Sequence, residues 1–167
     1  MKMMRLAALA ALSLATLSPV MAAAAQPAVI YDDAYEGGWQ DWSWAVTHPV
    51  ADAAHIHSGA AALGVKADPW GALTFSRNDP FDSTGYTTLS FWINGGPAHD
   101  QSLIVLVNGG TEGRPAFTIP PLTDGWTHIE IPLKDLAADN TGIKAIWIQN
   151  HSGAPAGAYY VDDVELH

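Results

Sequence analysis

The chain has 167 residues, 7 Lys and Arg against 17 Asp and Glu, a formal net charge of −10 and no cysteine. That charge opposes the phosphate neutralisation that nucleic-acid binding needs and is repelled by anionic membrane surfaces. The missing cysteines exclude disulfides, thiolate metal sites and cysteine nucleophiles. Neutral polymers, small ligands and hard cations remain as partners, and the excess of 7 tryptophans asks for an explanation.

The N-terminus carries Lys2 and Arg5, then an apolar run from Leu6 to about Val20 broken by Pro19, then Ala23-Ala24-Ala25 before Gln26. This is the three-part pattern of a secretory signal peptide. The run is shorter than the roughly 20 apolar residues that span a bilayer. Removing 25 of the 167 residues leaves 142, from Gln26 to His167. That length suits a single domain, delivered to the extracellular or periplasmic space. No later segment is long and apolar enough for membrane insertion.

Past Gln26, short runs of β-branched, aromatic and aliphatic residues alternate with Gly, Pro, Asn and Asp clusters. This predicts strands over Val29–Asp33, Trp42–Val46, Ala60–Lys66, Ala72–Ser76, Thr87–Asn94, Ser102–Asn108, Ala116–Ile119, Thr127–Leu133, Ile143–Asn150 and Ala158–Leu166. Pro80 to Thr84 and Lys134 to Ala138 each predict one helical turn. Short strands at this spacing indicate an all-β sandwich or barrel.

Side chains alternate between the two faces of a strand, so phase assigns them. Leu89, Phe91 and Ile93 take one face, leaving Ser90, Trp92 and Asn94 on the other. Ile146 and Ile148 leave Trp147 with Gln149, and Ile129 and Ile131 leave His128 with Glu130. Exposed indoles among amides, imidazoles and carboxylates form a platform for a sugar ring, whose C–H face stacks while its hydroxyls hydrogen-bond at the rim. Trp92 and Trp147 are the expected platforms, with Asn94, Gln149, Glu130 and His128 as polar partners. Trp39, Trp42, Trp44, Trp70 and Trp126 are expected to pack in the core or under loops.

Five segments carry a family likeness: Ile30 to Gly37, His57-Ser58-Gly59-Ala60-Ala61-Ala62-Leu63, Tyr86 to Ile93, Gly125 to Leu133 and Tyr159-Tyr160-Val161-Asp162-Asp163-Val164-Glu165-Leu166. In this order they resemble the carbohydrate-binding modules of the galactose-binding-like type. The resemblance implies an antiparallel jelly-roll β-sandwich that binds polysaccharide without catalysis. It also implies a structural calcium ion, held by Asp33 or Glu36, the backbone about Ser58 and Gly59, and Asp162. Asp162 falls in phase with Val164 and Leu166, which suggests a carboxylate facing the core and in need of a cation or donors. An extra residue in Asp32-Asp33-Ala34-Tyr35-Glu36 leaves the first-strand ligand open between Asp33 and Glu36.

The expected ligand is a neutral polysaccharide or oligosaccharide, with a separate glycan-active enzyme as a further partner. A small jelly-roll glycanase or lyase is the competing reading, with Glu130 and either Asp163 or Glu165 as an acid–base pair. A structural or adhesive module is another. His55 and His57 share a strand face with His48 upstream, but without a third firm ligand they read as surface or loop histidines rather than a zinc or copper site.

Overall fold

A computed structural model describes residues 26–47, 51–108 and 115–167. The leader (residues 1–25) and His48 lie outside the described residues, so the secretory expectation is not addressed by the fold. No helix among the described residues is long and apolar enough to cross a membrane.

The described residues form antiparallel strands in two stacked sheets. The strands are β1 (Ala28–Asp32), β2 (Ala34–Tyr35), β3 (Gln40–Asp41), β4 (Trp44–Thr47), β5 (Leu63–Asp82), β6 (Thr88–Asn94), β7 (Leu103–Val107), β8 (Phe117–Thr118), β9 (Trp126–Pro132), β10 (Gly142–Asn150) and β11 (Tyr159–Leu166). In the first sheet β11 lies between β1 and β6, with β2 outside β1 and β9 outside β6. In the second, β10 lies between β5 and β7, with β8 outside β7, while β3 and β4 pair the far edge of β5.

Two predicted strands, Ala60–Lys66 and Ala72–Ser76, are parts of one element. β5 starts beside β11 at Leu63 to Val65 and continues along β10, so it links the two sheets. The residues between, Asp68-Pro69-Trp70-Gly71, read as a turn because Pro and Gly punctuate sequences. Here they form an irregularity within a strand, with Trp70 at φ 63°. The helical turn expected at Lys134 is a 3-10 helix over Leu133–Leu136. The one expected at Pro80 is instead the end of β5.

The alternation puts Leu89, Phe91, Ile93, Ile129 and Ile131 from the first sheet against Leu73, Phe75, Ile143, Ile146 and Ile148 from the second in one core cluster. Each of these is at most 5% exposed, and such close-packed aliphatic contact is the main stabilising term for a cysteine-free domain. The fold is thus the expected all-β antiparallel jelly-roll sandwich. Each sheet also has an outer face, and the two differ in chemistry.

Candidate functional site: a tryptophan face opposite a histidine-strapped face

Trp92 and Trp147 both point away from the core, as their phase requires, but they stand on opposite sides of the sandwich. Trp92 lies on β6 of the first sheet and Trp147 on β10 of the second, so they do not form one platform. Phase tells inside from outside, whereas sheet membership depends on strand pairs remote in sequence.

On the first sheet, registers of β11, β6 and β9 align Asp162 with Trp92 and His128, and Glu165 with Ser90 and Glu130. Trp92, His128, Ser90, Glu130 and Glu165 border a cavity of about 540 Å³, and Asp162 is buried beside it. Expected partners His128 and Glu130 therefore do flank Trp92. The indole itself is occupied: the His57 ring stacks on it at 3.9 Å and 16°, and His128 stacks at 4.8 Å and 26°. Asn94 is buried, and its Oδ1 accepts the Gly96 N–H at 2.7 Å, which fixes a turn.

His57 belongs to a strap, residues 51–61, that crosses this outer face. His55 stacks on Tyr160 at 3.9 Å. Asp162 Oδ2 accepts the N–H groups of His57 (3.0 Å) and Ser58 (3.3 Å), and Oδ1 accepts that of Asp163 (3.0 Å). Asp163 takes the Ser58 hydroxyl at 2.7 Å and lies 2.6 Å from His57 Nδ1. Asp33 Oδ1 accepts Ala60 N–H (2.6 Å) and Ala61 N–H (2.8 Å), and the Tyr31 hydroxyl donates to Ala61 O (3.1 Å). The strap's backbone donors are thus matched to sheet carboxylates.

The phase expected for Asp162 is corrected by a bulge. The β11–β6 register shifts between Asp162 and Glu165, with Asp163 at φ 47°. Val161 and Val164 both join the core, so Asp162 shares the outer face with Tyr160 and is buried by the strap instead. Burial pushes the Asp162 carboxyl above the usual range, against the N–H groups of His57 and Ser58, which lower it. Asp33, held by the Ala60 and Ala61 N–H groups, lies below it. Burial and then the Asp162 charge push the Tyr31 hydroxyl up to about 12.

The donor set bears on calcium. Asp33 turns Oδ1, and Asp162 both its oxygens, onto N–H groups, where a cation cage would supply further oxygens. Glu36 is exposed, and Gly59, at φ 61°, packs so closely that an added Cβ would lie 2.5 Å from the Asp33 carboxylate. No cluster of three or more His, Cys, Asp or Glu suited to a metal occurs among the described residues. The residues Asp33, Glu36, Gly59 and Asp162 therefore do not fit the ion as arranged. His55 and His57 each stack on an aromatic ring, which accounts for both without zinc or copper.

The second sheet presents the other chemistry. Trp42 is 55% exposed and Trp44 37%, against the expectation of core packing. Both border a cavity of about 370 Å³ with Trp147, Thr74 and Ser76. Trp44 meets Trp147 edge to face, with centroids 4.7 Å apart and planes at 77°. Trp42 is tied down by its Nε1–H to Gln40 Oε1 (3.3 Å) and its backbone N–H to Thr74 O (3.2 Å). Ser43 between them accepts Thr74 N–H and donates to Asp41.

Gln149 shares a row with Ala72 and Trp44 across the sheet, and its Nε2–H donates to Trp70 O at 2.9 Å. Trp70 is 51% exposed and stands edge-on to His151 at 5.3 Å. A bulky residue at positive φ costs about 1–3 kcal/mol and persists where its surroundings fix it. Sequence reasoning missed Trp42, Trp44 and Trp70. The alternation of Trp42 and Trp44 on one side of Ser43 was the available signal, and it does not say which side faces the core.

The two-sheet antiparallel sandwich is a fold found among solved carbohydrate-binding modules. A variant of a family 29 carbohydrate-binding module superposes with a TM-score of 0.58 at 16% identity, covering 84% of this chain and 90% of that one. Two further variants, one complexed with mannohexaose and one with cellulohexaose, give TM-scores of 0.57 at 16% and 17% identity. They cover 84% of this chain and 90% and 89% of theirs. The sequence pattern of the expansin-like protein C-terminal domain matches residues 30–167. The chain belongs to that family. An endoglucanase of Dictyostelium discoideum is 26% identical over 143 residues, which is 81% of this chain and 20% of the endoglucanase. The chain thus spans about a fifth of that relative.

Proposed function

We propose that the protein is a secreted, non-catalytic polysaccharide-binding module whose ligand lies on the outer face of the second sheet. The observation that carries this reading is solvent-open Trp42 and Trp44 beside half-buried Trp147, with exposed Trp70 held by Gln149 of the same strand as Trp147. Contiguous exposed aromatics mark interaction sites on soluble proteins. Indoles present large apolar faces to sugar rings at low entropic cost. Gln149 supplies a polar rim, though one of its N–H groups is already engaged in placing Trp70.

The near-perpendicular Trp44 and Trp147 planes favour a single glycan chain, gripped ring by ring. They cannot both lie flat beneath the planar surface of a crystalline polymer. The complexes of structurally similar modules with mannohexaose and cellulohexaose support β-linked hexose chains as the first class to test. Family membership and the endoglucanase relative support a role beside a glycan-active enzyme, and the leader pattern supports export.

Affinity electrophoresis against soluble β-glucans, mannan, xylan and pectin tests the reading. Retardation by at least one glycan, lost in Trp44→Ala and kept in Trp92→Ala, is expected. Retardation by none removes it. Product formation from any of these glycans, abolished by Glu130→Gln, would favour the enzyme reading instead.

A further inference from the structure

The net charge of −10 argues for neutral glycans, yet the charge at the tryptophan face has the opposite sign. Two cavities of about 370 Å³ each adjoin there, sharing Lys144, Ala145 and Trp147. One extends past Trp42 and Trp44 and the other past Pro80, Asn108 and Gly142. Among the described residues no Asp or Glu borders either. The basic side chains among the described residues are Lys66, Arg77, Lys134 and Lys144, and two of these, Arg77 and Lys144, border this groove.

Both are placed by identifiable features. The β10–β5 register shifts between Ile143 and Ala145, so two residues separate core-facing Ile143 from core-facing Ile146. This bulge turns Lys144 onto the outer face next to Trp147, and Asn108 Oδ1 accepts the Lys144 backbone N–H at 2.6 Å. The Lys144 ammonium has no carboxylate partner among the described residues. Arg77 lies over the rings of Trp39 and Phe81 at 5.4 and 5.6 Å and donates to the carbonyls of Gly37 and Asp79. These partners fix the guanidinium without cancelling its charge. Below them Thr74 Oγ1, in a residue 2% exposed, has no hydrogen-bond partner.

We propose that Lys144 makes this groove, which Arg77 also borders, selective for glycan chains that carry carboxylates, such as uronic-acid units. The inference rests on the tryptophan face being the glycan site. A uronate ring keeps the C–H face that stacks on indole and adds an anion that a flexible ammonium can reach. The acidic remainder of the protein opposes such a chain only over distances that salt screens, beyond about 10 Å at 0.1 M.

The test compares cellohexaose with the same hexaose oxidised at C6 to contain glucuronate, by calorimetric titration of the full mature chain. An exposed ion pair contributes about 0.2–1 kcal/mol. The wild type should therefore bind the oxidised chain up to about fivefold more tightly at low salt, and the preference should fade at about 0.3 M salt. Lys144→Gln should bring the ratio to about one, and Lys144→Arg should restore it. A wild-type ratio of one or below, or a preference that survives in Lys144→Gln, overturns the inference while leaving the glycan site standing. Failure of both oligosaccharides to bind overturns the inference, whereas the proposed function falls only when no glycan of the wider panel is retarded.

Discussion

Trp92 and Trp44 show how two residues of one type diverge through their neighbours. His57 seats its imidazole on Trp92 where a sugar ring would stack, whereas Trp44 meets only the edge of Trp147. Trp92→Ala should therefore lower stability by about 2 kcal/mol through lost aromatic packing. Chemical denaturation reads that loss. Asp162 offers a second residue-scale outcome. Its folded-state carboxyl is raised, so above that value the fold carries a buried charge that the unfolded chain hydrates freely. As pH falls through the raised value towards the ordinary one near 3.9, the folded state takes up the proton first and gains stability. Asp162→Asn has no such charge. Its stability relative to wild type should rise as pH goes from about 4 to 7 in parallel denaturation curves, and a flat difference would contradict the assigned burial.

Elements place these residues through irregularities that an alternating pattern conceals. The core phases of β6, β9 and the Ile146–Ile148 part of β10 were legible because each keeps strict alternation through its isoleucines, phenylalanine and leucine, whereas the bulge at Lys144 was not. The phase of β11 was not, since the bulge at Asp163 moves Asp162 to the other face. Nor was the outward position of Trp44, for an isolated Trp-Ser-Trp is compatible with either side. What settles it is contact with β5. Ala45 sits at φ 47°, and a Cβ on Gly71 would lie 2.0 Å from Ala45 O. Glycine is thus required where β4 crosses the irregularity in β5. Gly71→Ala should push β4 outward, lowering the thermal midpoint by several degrees and weakening glycan binding together. A loss of stability with unchanged affinity would separate β4 from the placement of Trp44.

The whole molecule divides its labour between its two outer faces. One sheet's acidic and hydroxyl groups hold the strap that crosses it, and the other leaves Trp42, Trp44, Trp70 and Lys144 open to solvent. This division was illegible from composition, because net charge averages over faces and pairing between β5, β10 and β11 joins segments far apart in the chain. The family likeness supplied the sandwich, yet its calcium has no counterpart in the N–H donors that surround Asp33 and Asp162. Excess chelator should therefore leave the thermal midpoint of protein kept in calcium-containing buffer unchanged. A fall of several degrees would restore the ion, since a ligand bound only by the native state stabilises it.

The claim that the second sheet, and not the first, receives the glycan is tested most directly by calorimetric titration of wild type, Trp44→Ala and Trp92→Ala with cellohexaose and mannohexaose. Stacking on an indole contributes about 0.5–1.5 kcal/mol beyond the buried area, so Trp44→Ala should weaken binding at least tenfold. Trp92→Ala should bind within about twofold of wild type at a temperature where it remains folded. The reverse pattern, with affinity lost in Trp92→Ala and kept in Trp44→Ala, would place the glycan beneath the strap and contradict the account.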